Sequence, residues 1–310
     1  MVSVDFINVG YGDAVLIRDH LADFSMLVDC GDVTSGCSAP DSDHISAGEF
    51  LTQAGICRLD LLVLTHLHRD HSGGLTRLLK SVEVKTFWTN YLPPRDCWGG
   101  HVPVPDEFSE SARCLLESMN IYLAALGAME DQGTAIRRWE ESGGPLALTP
   151  DLLARVYMER GPVLRRQEMI WREVLAGRPR LAQLEELDGF INNTSLRLRL
   201  RCGDRTVELP GDIYAECWQR HQLSPCTVLK LPHHGHGDAL SPRLLDMLRP
   251  ERAVISVSNS RTDDCPAASV LHMLRERQCP VYITDGLRAQ EGLSASRRSI
   301  RFEFPTAKDL

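Results

Sequence analysis

Residues 65–74 read Thr-His-Leu-His-Arg-Asp-His-Ser-Gly-Gly, directly behind the apolar run Leu61-Leu62-Val63-Leu64. No other stretch narrows the possible folds as far. A short continuous apolar run bounded by polar residues predicts a buried strand, so His66, His68, Asp70 and His71 stand where a strand gives way to a loop. Alternate side chains of extended backbone point the same way, which lets His66 and His68 face one ion together. A turn into helix near Ser72 swings Asp70 and His71 toward a second position beside it. Imidazole and carboxylate suit zinc and other divalent metals. The plain alternative is a polar surface loop, which accounts poorly for three His and one Asp so closely spaced at a strand end.

Around this loop the first 90 residues predict compact α/β structure. Val2–Asn8, Ala14–Ile17 and Phe24–Val28 have strand character, with Gly10-Tyr11-Gly12-Asp13 as a turn between the first two. Ser46–Gln53 and Leu75–Ser81 predict short helices, and Val84–Trp88 a further strand. The pattern changes at Tyr91-Leu92-Pro93-Pro94. Up to about Leu187 it predicts helices, at Ser109–Gly127, Thr134–Glu141, Asp151–Arg160 and Leu164–Leu175, broken by Gly143-Gly144-Pro145, Gly161-Pro162 and Gly177-Arg178-Pro179. We read one α/β domain over residues 1–310 with a largely helical insertion at about 92–188. A separate helical domain dividing two unrelated halves is the competing reading.

Strands return at Ser195–Arg201 and Thr206–Leu209, joined by the turn Cys202-Gly203-Asp204-Arg205. Helix and strand then alternate through Tyr214–His221, Thr227–Leu231, Pro242–Leu248, Ala253–Val257, Ala267–Arg277 and Val281–Thr284, and Ile300–Phe304 closes an edge. Two strand ends here carry further candidate ligands. Asp212 follows Leu209-Pro210-Gly211, where glycine permits close backbone approach. His233 and His234 follow Leu229-Lys230-Leu231-Pro232, and neutral imidazole is the commonest metal ligand. Taken alone, Asp212 reads as a turn or cap residue; beside the first loop it gains weight as a ligand.

Composition excludes some functions. The formal net charge is -8, which argues against a protein that coats nucleic acid through a general basic field. A local track remains open, and Arg165, Arg166, Arg178, Arg180, Arg197, Arg199 and Arg201 are candidates for phosphate contacts. The 10 cysteines are scattered with no C-x-x-C knuckle, no apolar stretch has membrane-spanning length, and the amino terminus enters strand-like sequence at once. The expectation is a soluble cytoplasmic protein with reduced thiols and no membrane partner.

Five pieces in order then carry a resemblance: Asn8-Val9-Gly10-Tyr11-Gly12-Asp13, Val28-Asp29-Cys30-Gly31, the H-x-H-x-D-H loop, Gly211-Asp212, and Leu229–Gly235, with Asn193-Thr194-Ser195-Leu196 beside them. The chain resembles the metallo-β-lactamase superfamily, most nearly the branch containing the hydrolase domain of ComEC-type DNA-uptake proteins. It does so over residues 1–90 and 190–290. The resemblance implies an αββα sandwich with two divalent ions, zinc or manganese, along one edge. His66 and His68 would hold the first ion and Asp70 and His71 the second. Asp212 would bridge both, and His233 or His234 would complete the second site. Asp29 would orient the histidine loop from behind. Asn192 and Asn193 stand where many members offer another histidine. His236 replaces the branch's usual small residue, and Asp264-Cys265 stand where a histidine usually precedes the proline.

A two-ion site activates water and stabilises an oxyanion. Asp70 and Asp212 would orient the hydroxide, and Lys230, His236 or the second of His233 and His234 would neutralise charge or protonate a leaving group; a solvated strand lysine is the plain reading of Lys230. The preferred activity is a phosphodiesterase or nuclease on DNA or RNA. The alternative is hydrolysis of a small carboxylic ester, thioester or lactone, with the insertion as lid or pocket wall. A degenerate, inactive binding module is the third reading. The insertion also offers a surface for a homo-dimer.

Overall fold

The computed structural model of the chain describes residues 1–33, 43–140, 144–158, 161–218, 223–258, 265–285, 293–295 and 298–306. Glu141, Gly143, Arg160, His221 and Asp264, named above, lie outside the described residues. From the amino terminus the elements run β1 (Val2–Ile7), β2 (Val15–Asp19), β3 (Phe24–Val28), α1 (Ala47–Gln53), β4 (Arg58–Leu59), β5 (Leu61–Leu64), α2 (Arg69–Ser72), α3 (Leu75–Leu78), β6 (Glu83–Val84) and β7 (Thr86–Thr89). The middle of the chain adds α4 (Glu110–Asp131), β8 (Ala135–Arg138), β9 (Leu146–Ala147), β10 (Leu152–Tyr157), α5 (Pro162–Leu175) and α6 (Leu181–Asp188). Then follow β11 (Arg197–Cys202), β12 (Arg205–Leu209), α7 (Ala215–Trp218), β13 (Val228–Lys230), α8 (Pro242–Leu248), β14 (Arg252–Ile255), α9 (Ala268–Glu276), β15 (Val281–Ile283), β16 (Leu293–Ala295) and β17 (Ser299–Phe304).

The strands form a 7-stranded sheet, β17-β1-β2-β3-β5-β7-β8, and an 8-stranded sheet, β16-β15-β14-β13-β12-β11-β10-β9, with β4 and β6 pairing separately. Alternation along the strands explains how they stack. In β5, Leu61 and Val63 belong to an apolar cluster shared with β10, β11 and β12, whereas Leu62 and Leu64 belong to one shared with α3, α4 and α6. In β14, Val254 joins the cluster between the sheets, while Ala253 and Ile255 join a third cluster with α8 and α9. Side chains on an extended strand alternate in direction, so each sheet is buried on both faces, which is why β5 reads as an unbroken apolar run. Three apolar clusters between successive layers make the order helix, sheet, sheet, helix. This is the αββα sandwich expected from the sequence.

The middle segment is largely helical and is also woven into both sheets. β8 extends the first sheet in parallel beside β7, and β10 pairs antiparallel with β11 in the second. The helices predicted over Thr134–Glu141 and Asp151–Arg160 are therefore corrected to strands. In β10, Leu152, Ala154 and Val156 are buried and the residues between them are less so, a period of two; residues of good helix propensity, Leu, Ala and Arg, masked it. β8 is a short edge strand, Ala-Ile-Arg-Arg, without a clear period. The 22-residue α4 buries Leu115, Leu116, Met119, Tyr122, Leu123, Leu126 and Met129 in the cluster beside the first sheet.

Candidate metal centre

The carboxyl ends of β5, β12 and β13 meet at one edge of the sandwich, and the backbone there is unusual in three places. Asp29, His233 and His234 have left-handed φ of 59°, 47° and 51°, a conformation costing roughly 1–2 kcal/mol for a residue with a Cβ. Such cost persists where surrounding contacts fix it, and it concentrates at functional sites. At Gly12, φ is +119° and a Cβ would sit 2.1 Å from the Asp70 carbonyl oxygen. The turn after β1 therefore presses against the histidine loop, and the Asp13 amide donates to that carbonyl at 3.1 Å. A Cβ on Gly211 would meet Ser195 at 2.8 Å, so this glycine permits the close approach that sets Asp212.

Asp70, His71, Asp212 and His234 present ligand atoms that all lie within 4.8 Å of one another. His71 Nε2 is 3.2 Å from Asp212 Oδ2 and 3.9 Å from Asp70 Oδ2. His234 Nε2 is 3.0 Å from Asp70 Oδ2 and 3.4 Å from Asp212 Oδ2. Beside this group, His66 Nε2 and His68 Nδ1 are 3.2 Å apart. The far nitrogens are held by protein atoms: His71 Nδ1 by Asp29 at 2.8 Å, His234 Nδ1 by the Ser256 carbonyl at 3.0 Å, and His66 Nδ1 beside Thr65 Oγ1 at 3.1 Å. Asp29 also accepts from the Thr65 amide at 2.8 Å and its hydroxyl at 2.7 Å. It thus orients the histidine loop from behind.

The charges are out of balance without a cation. Asp13, Asp29 and Asp212 are buried and Asp70 nearly so, and among the described residues Lys230 is a permanent cation in contact with Asp13 and near Asp212. Buried carboxylates demand compensation. Burial lowers the proton affinity of His71, yet Asp212, Asp29 and Asp70 overcome it and raise its pKa well above the ordinary value. Burial lifts the acids, but His71 and His234 hold Asp70 far below the usual carboxylate range, and His71, His234 and Lys230 do the same for Asp212. His66 is pushed well below its ordinary value by burial and by its neighbours His71 and His68, so it stays neutral. His71 Nε2 is buried and faces two carboxylates without hydrogen-bond alignment. Imidazole nitrogens and carboxylate oxygens this close together are a donor set that can hold a divalent cation.

Other predicted residues are distributed differently. Of the histidine pair, His234 reaches the cluster; His233 turns outward, its Nδ1 2.8 Å from Asp238 and its ring stacked on His236 at 4.4 Å. The His233 amide still donates to Asp212 Oδ1 at 3.0 Å. Lys230 is buried in contact with Asp13 and lies 3.6 Å from Asp212 Oδ1, which overturns the solvated-lysine reading. The arginine track does not form as drawn: Arg197 is buried over the Tyr157 ring, Arg199 pairs with Glu208, Arg166 with Glu186 and Arg178 with Glu173. Asn192 Nδ2 meets the Tyr214 hydroxyl at 3.2 Å, and Asn193 accepts from the Tyr214 amide at 3.0 Å. One acid escaped the sequence reading: Asp188, 3.5 Å from His68 Nε2, carries no local motif. Asp13, which the sequence leaves open between a turn role and a place near the site, lies 3.9 Å from His71 Nδ1.

Residues 7–101 match the Metallo-beta-lactamase superfamily. Over 294 residues, 91% of the chain, the sequence is 27% identical to ComE operon protein 3 of Bacillus subtilis (strain 168), and it spans about a third of that relative's length, 32%. Among solved structures the fold is similar to that of isothiocyanate hydrolase from Delia radicum gut bacteria, at 14% identity and a TM-score of 0.50 over 97% of this chain and 98% of that one. Zn(2+)-bound PqqB from Methylobacterium extorquens aligns at 10% identity and a TM-score of 0.49, covering 98% and 100%. Among the described residues no helix is long and apolar enough to cross a membrane.

Proposed function

We propose that the chain, whose residues 7–101 match the Metallo-beta-lactamase superfamily, is a metal-dependent hydrolase that cleaves phosphodiesters, with a nucleic-acid strand as the substrate class and two zinc or manganese ions at its site. The observation that carries this reading is the set of buried carboxylates, Asp13, Asp29 and Asp212, with the nearly buried Asp70, around His71, His234 and Lys230. Bound cations would offset that set, and with them the edge would become attractive to an anionic phosphodiester. The motif resemblance to DNA-uptake hydrolase domains supports the same bond type.

Asp70, His71, Asp212 and His234, with His66 and His68 beside them, would hold the divalent ions, which would lower the pKa of water and draw charge from the attacked group. The protein's own groups do the rest. Asp212 Oδ1 is fixed by the His233 amide and the nearby ammonium of Lys230, which leaves Oδ2 toward His71 and His234. Asp70 is likewise set by His234, so both acids keep a defined face toward an attacking water. Lys230, raised in pKa by Asp13 and Asp212 against its burial, remains an ammonium. Its place behind Asp212 suits holding charge. His233, backed by Asp238 and stacked on His236, sits at the rim, where an imidazolium can give a proton to a departing alkoxide.

The test is a panel of single-stranded DNA, duplex DNA, RNA, bis-p-nitrophenyl phosphate, and chromogenic carboxylic esters, thioesters and lactones, run with Zn²⁺ or Mn²⁺. Metal-stimulated phosphodiester cleavage is expected, and Asp70→Ala should lower the rate at least about 100-fold, the scale on which loss of a metal's supporting groups acts. Hydrolysis of acyl substrates with no phosphodiester cleavage would sink the proposal. One observation favours that second reading: acids already engage Arg166, Arg178 and Arg199, so the surface offers a long duplex few free cations along this track.

A further inference from the structure

We infer that Asp188, at the end of α6, is the positioning carboxylate for His68 and sets the affinity of the metal position that His68 and His66 share. The inference rests on the two-ion reading above. It starts from a regularity in the four inward-facing histidines. His66, His71 and His234 each have one nitrogen toward the centre and the other against Thr65 Oγ1, Asp29 Oδ2 and the Ser256 carbonyl respectively. An imidazole with one nitrogen engaged by an acceptor keeps its proton there and offers the other as a lone pair.

His68 completes the pattern only if Asp188 is counted. Its Nδ1 lies 3.2 Å from His66 Nε2, close to the roughly 3.3 Å edge expected between two nitrogens on one tetrahedral zinc. Its Nε2 is buried and has no aligned hydrogen bond. Asp188 Oδ1 stands 3.5 Å from that nitrogen. A small closing movement turns this contact into a hydrogen bond, which fixes the proton on Nε2 and frees Nδ1 for an ion.

The setting of Asp188 supports a role outside its own helix. It is the last residue of α6, and no basic residue occupies that final turn. A carboxylate at a helix carboxyl end opposes the helix dipole, so the position is locally unfavourable and calls for compensation elsewhere. Leu184 and Leu187 are buried against the core and fix the rotation of the helix, which aims Asp188 at the histidine loop. The His66–His68 position also needs such help most. Among the described residues, the group of Asp70, His71, Asp212 and His234 supplies four ligand atoms in mutual reach, whereas no such group includes His66 or His68. The two positions should therefore differ in affinity, with the weaker one under the control of Asp188.

The test is titration of the metal-free full chain with Co²⁺ and with Zn²⁺, followed by calorimetry and by the visible spectrum of Co²⁺, on wild type, Asp188→Ala, Asp188→Asn and the control Glu185→Ala. Wild type should take up two equivalents of unequal affinity. Asp188→Ala should weaken only the lower-affinity equivalent, by about 10–100-fold, and shift its Co²⁺ spectrum. Asp188→Asn, whose amide oxygen can still accept from Nε2, should recover part of the loss, and Glu185→Ala should match wild type. Two equivalents in wild type with an unchanged Asp188→Ala overturn this inference alone. Equal weakening of both equivalents, or a fall in the melting temperature of the metal-free variant that accounts for the loss, overturns it by showing a purely structural role. A wild type that binds one equivalent overturns the two-ion reading and this inference with it.

Discussion

At the level of single residues, the candidate centre is framed by groups that point away from its cluster of acids and histidines. Asp29 takes hydrogen bonds from the Thr65 amide, the Thr65 hydroxyl and His71 Nδ1. Asp29→Asn keeps the shape but places a donor where His71 needs an acceptor, so metal affinity is expected to fall about 10–100-fold, as read by competition with a chromophoric chelator. The residues aimed inward were legible because strand ends and histidine spacing are local signals. His66, His68, Asp70 and His71 could be found within one loop, and Asp212 and His234 at two later strand ends. His233 and His234 could not be told apart from sequence. What separates them is a pair of left-handed backbone conformations, 47° and 51°, and no side-chain pattern announces these. Asp188 was invisible for another reason: it meets His68 only because α6 folds back over the loop.

Among elements, α1 gives a measurable case. Ser46 caps the helix, accepting from the Glu49 amide while the Glu49 side chain reaches back to the Ser46 amide and hydroxyl. Ser46→Ala is expected to cost about 1 kcal/mol in denaturant unfolding. The Ser46 hydrogen bonds hold Glu49 below its ordinary pKa against slight burial. A depressed acid contributes stability above its unfolded pKa and loses it as pH falls through the folded value, so the wild-type advantage should shrink on acidification. α4 makes the complementary point. Leu123 is fully buried beside the first sheet, and Leu123→Ala should destabilise by about 2–5 kcal/mol, measured by the same unfolding curve. A dispensable lid would not respond so strongly. The helices of the middle region were readable from their long apolar period, whereas β8 and β10 were not. They are edge or near-edge strands whose pairing partners lie far away in sequence, and tertiary pairing overrode their local propensity.

For the molecule as a whole, the important fact is that the candidate ligands are divided between the two sheets. Asp70 and His71 follow β5 of the first, and Asp212 and His234 follow β12 and β13 of the second. Saturating Zn²⁺ at about 100 times its dissociation constant should add about 2.7 kcal/mol of stability, seen as a raised melting temperature that a chelator reverses. The ion must also displace the proton that Asp212, Asp29 and Asp70 draw onto His71 against its burial. Uptake should therefore release protons into weakly buffered solution, and affinity should weaken as pH falls.

Such an ion would act as a reversible crosslink between distant parts of the chain. It would tie the loop after β5 to the ends of β12 and β13, enclosing the whole helical region between its anchor points. In a closed loop of that length, most of the conformational freedom lost is freedom the unfolded chain would have had. Loading the proposed site would therefore do more than prepare it for chemistry: it would make the opening of the sandwich at its working edge contingent on releasing the metal.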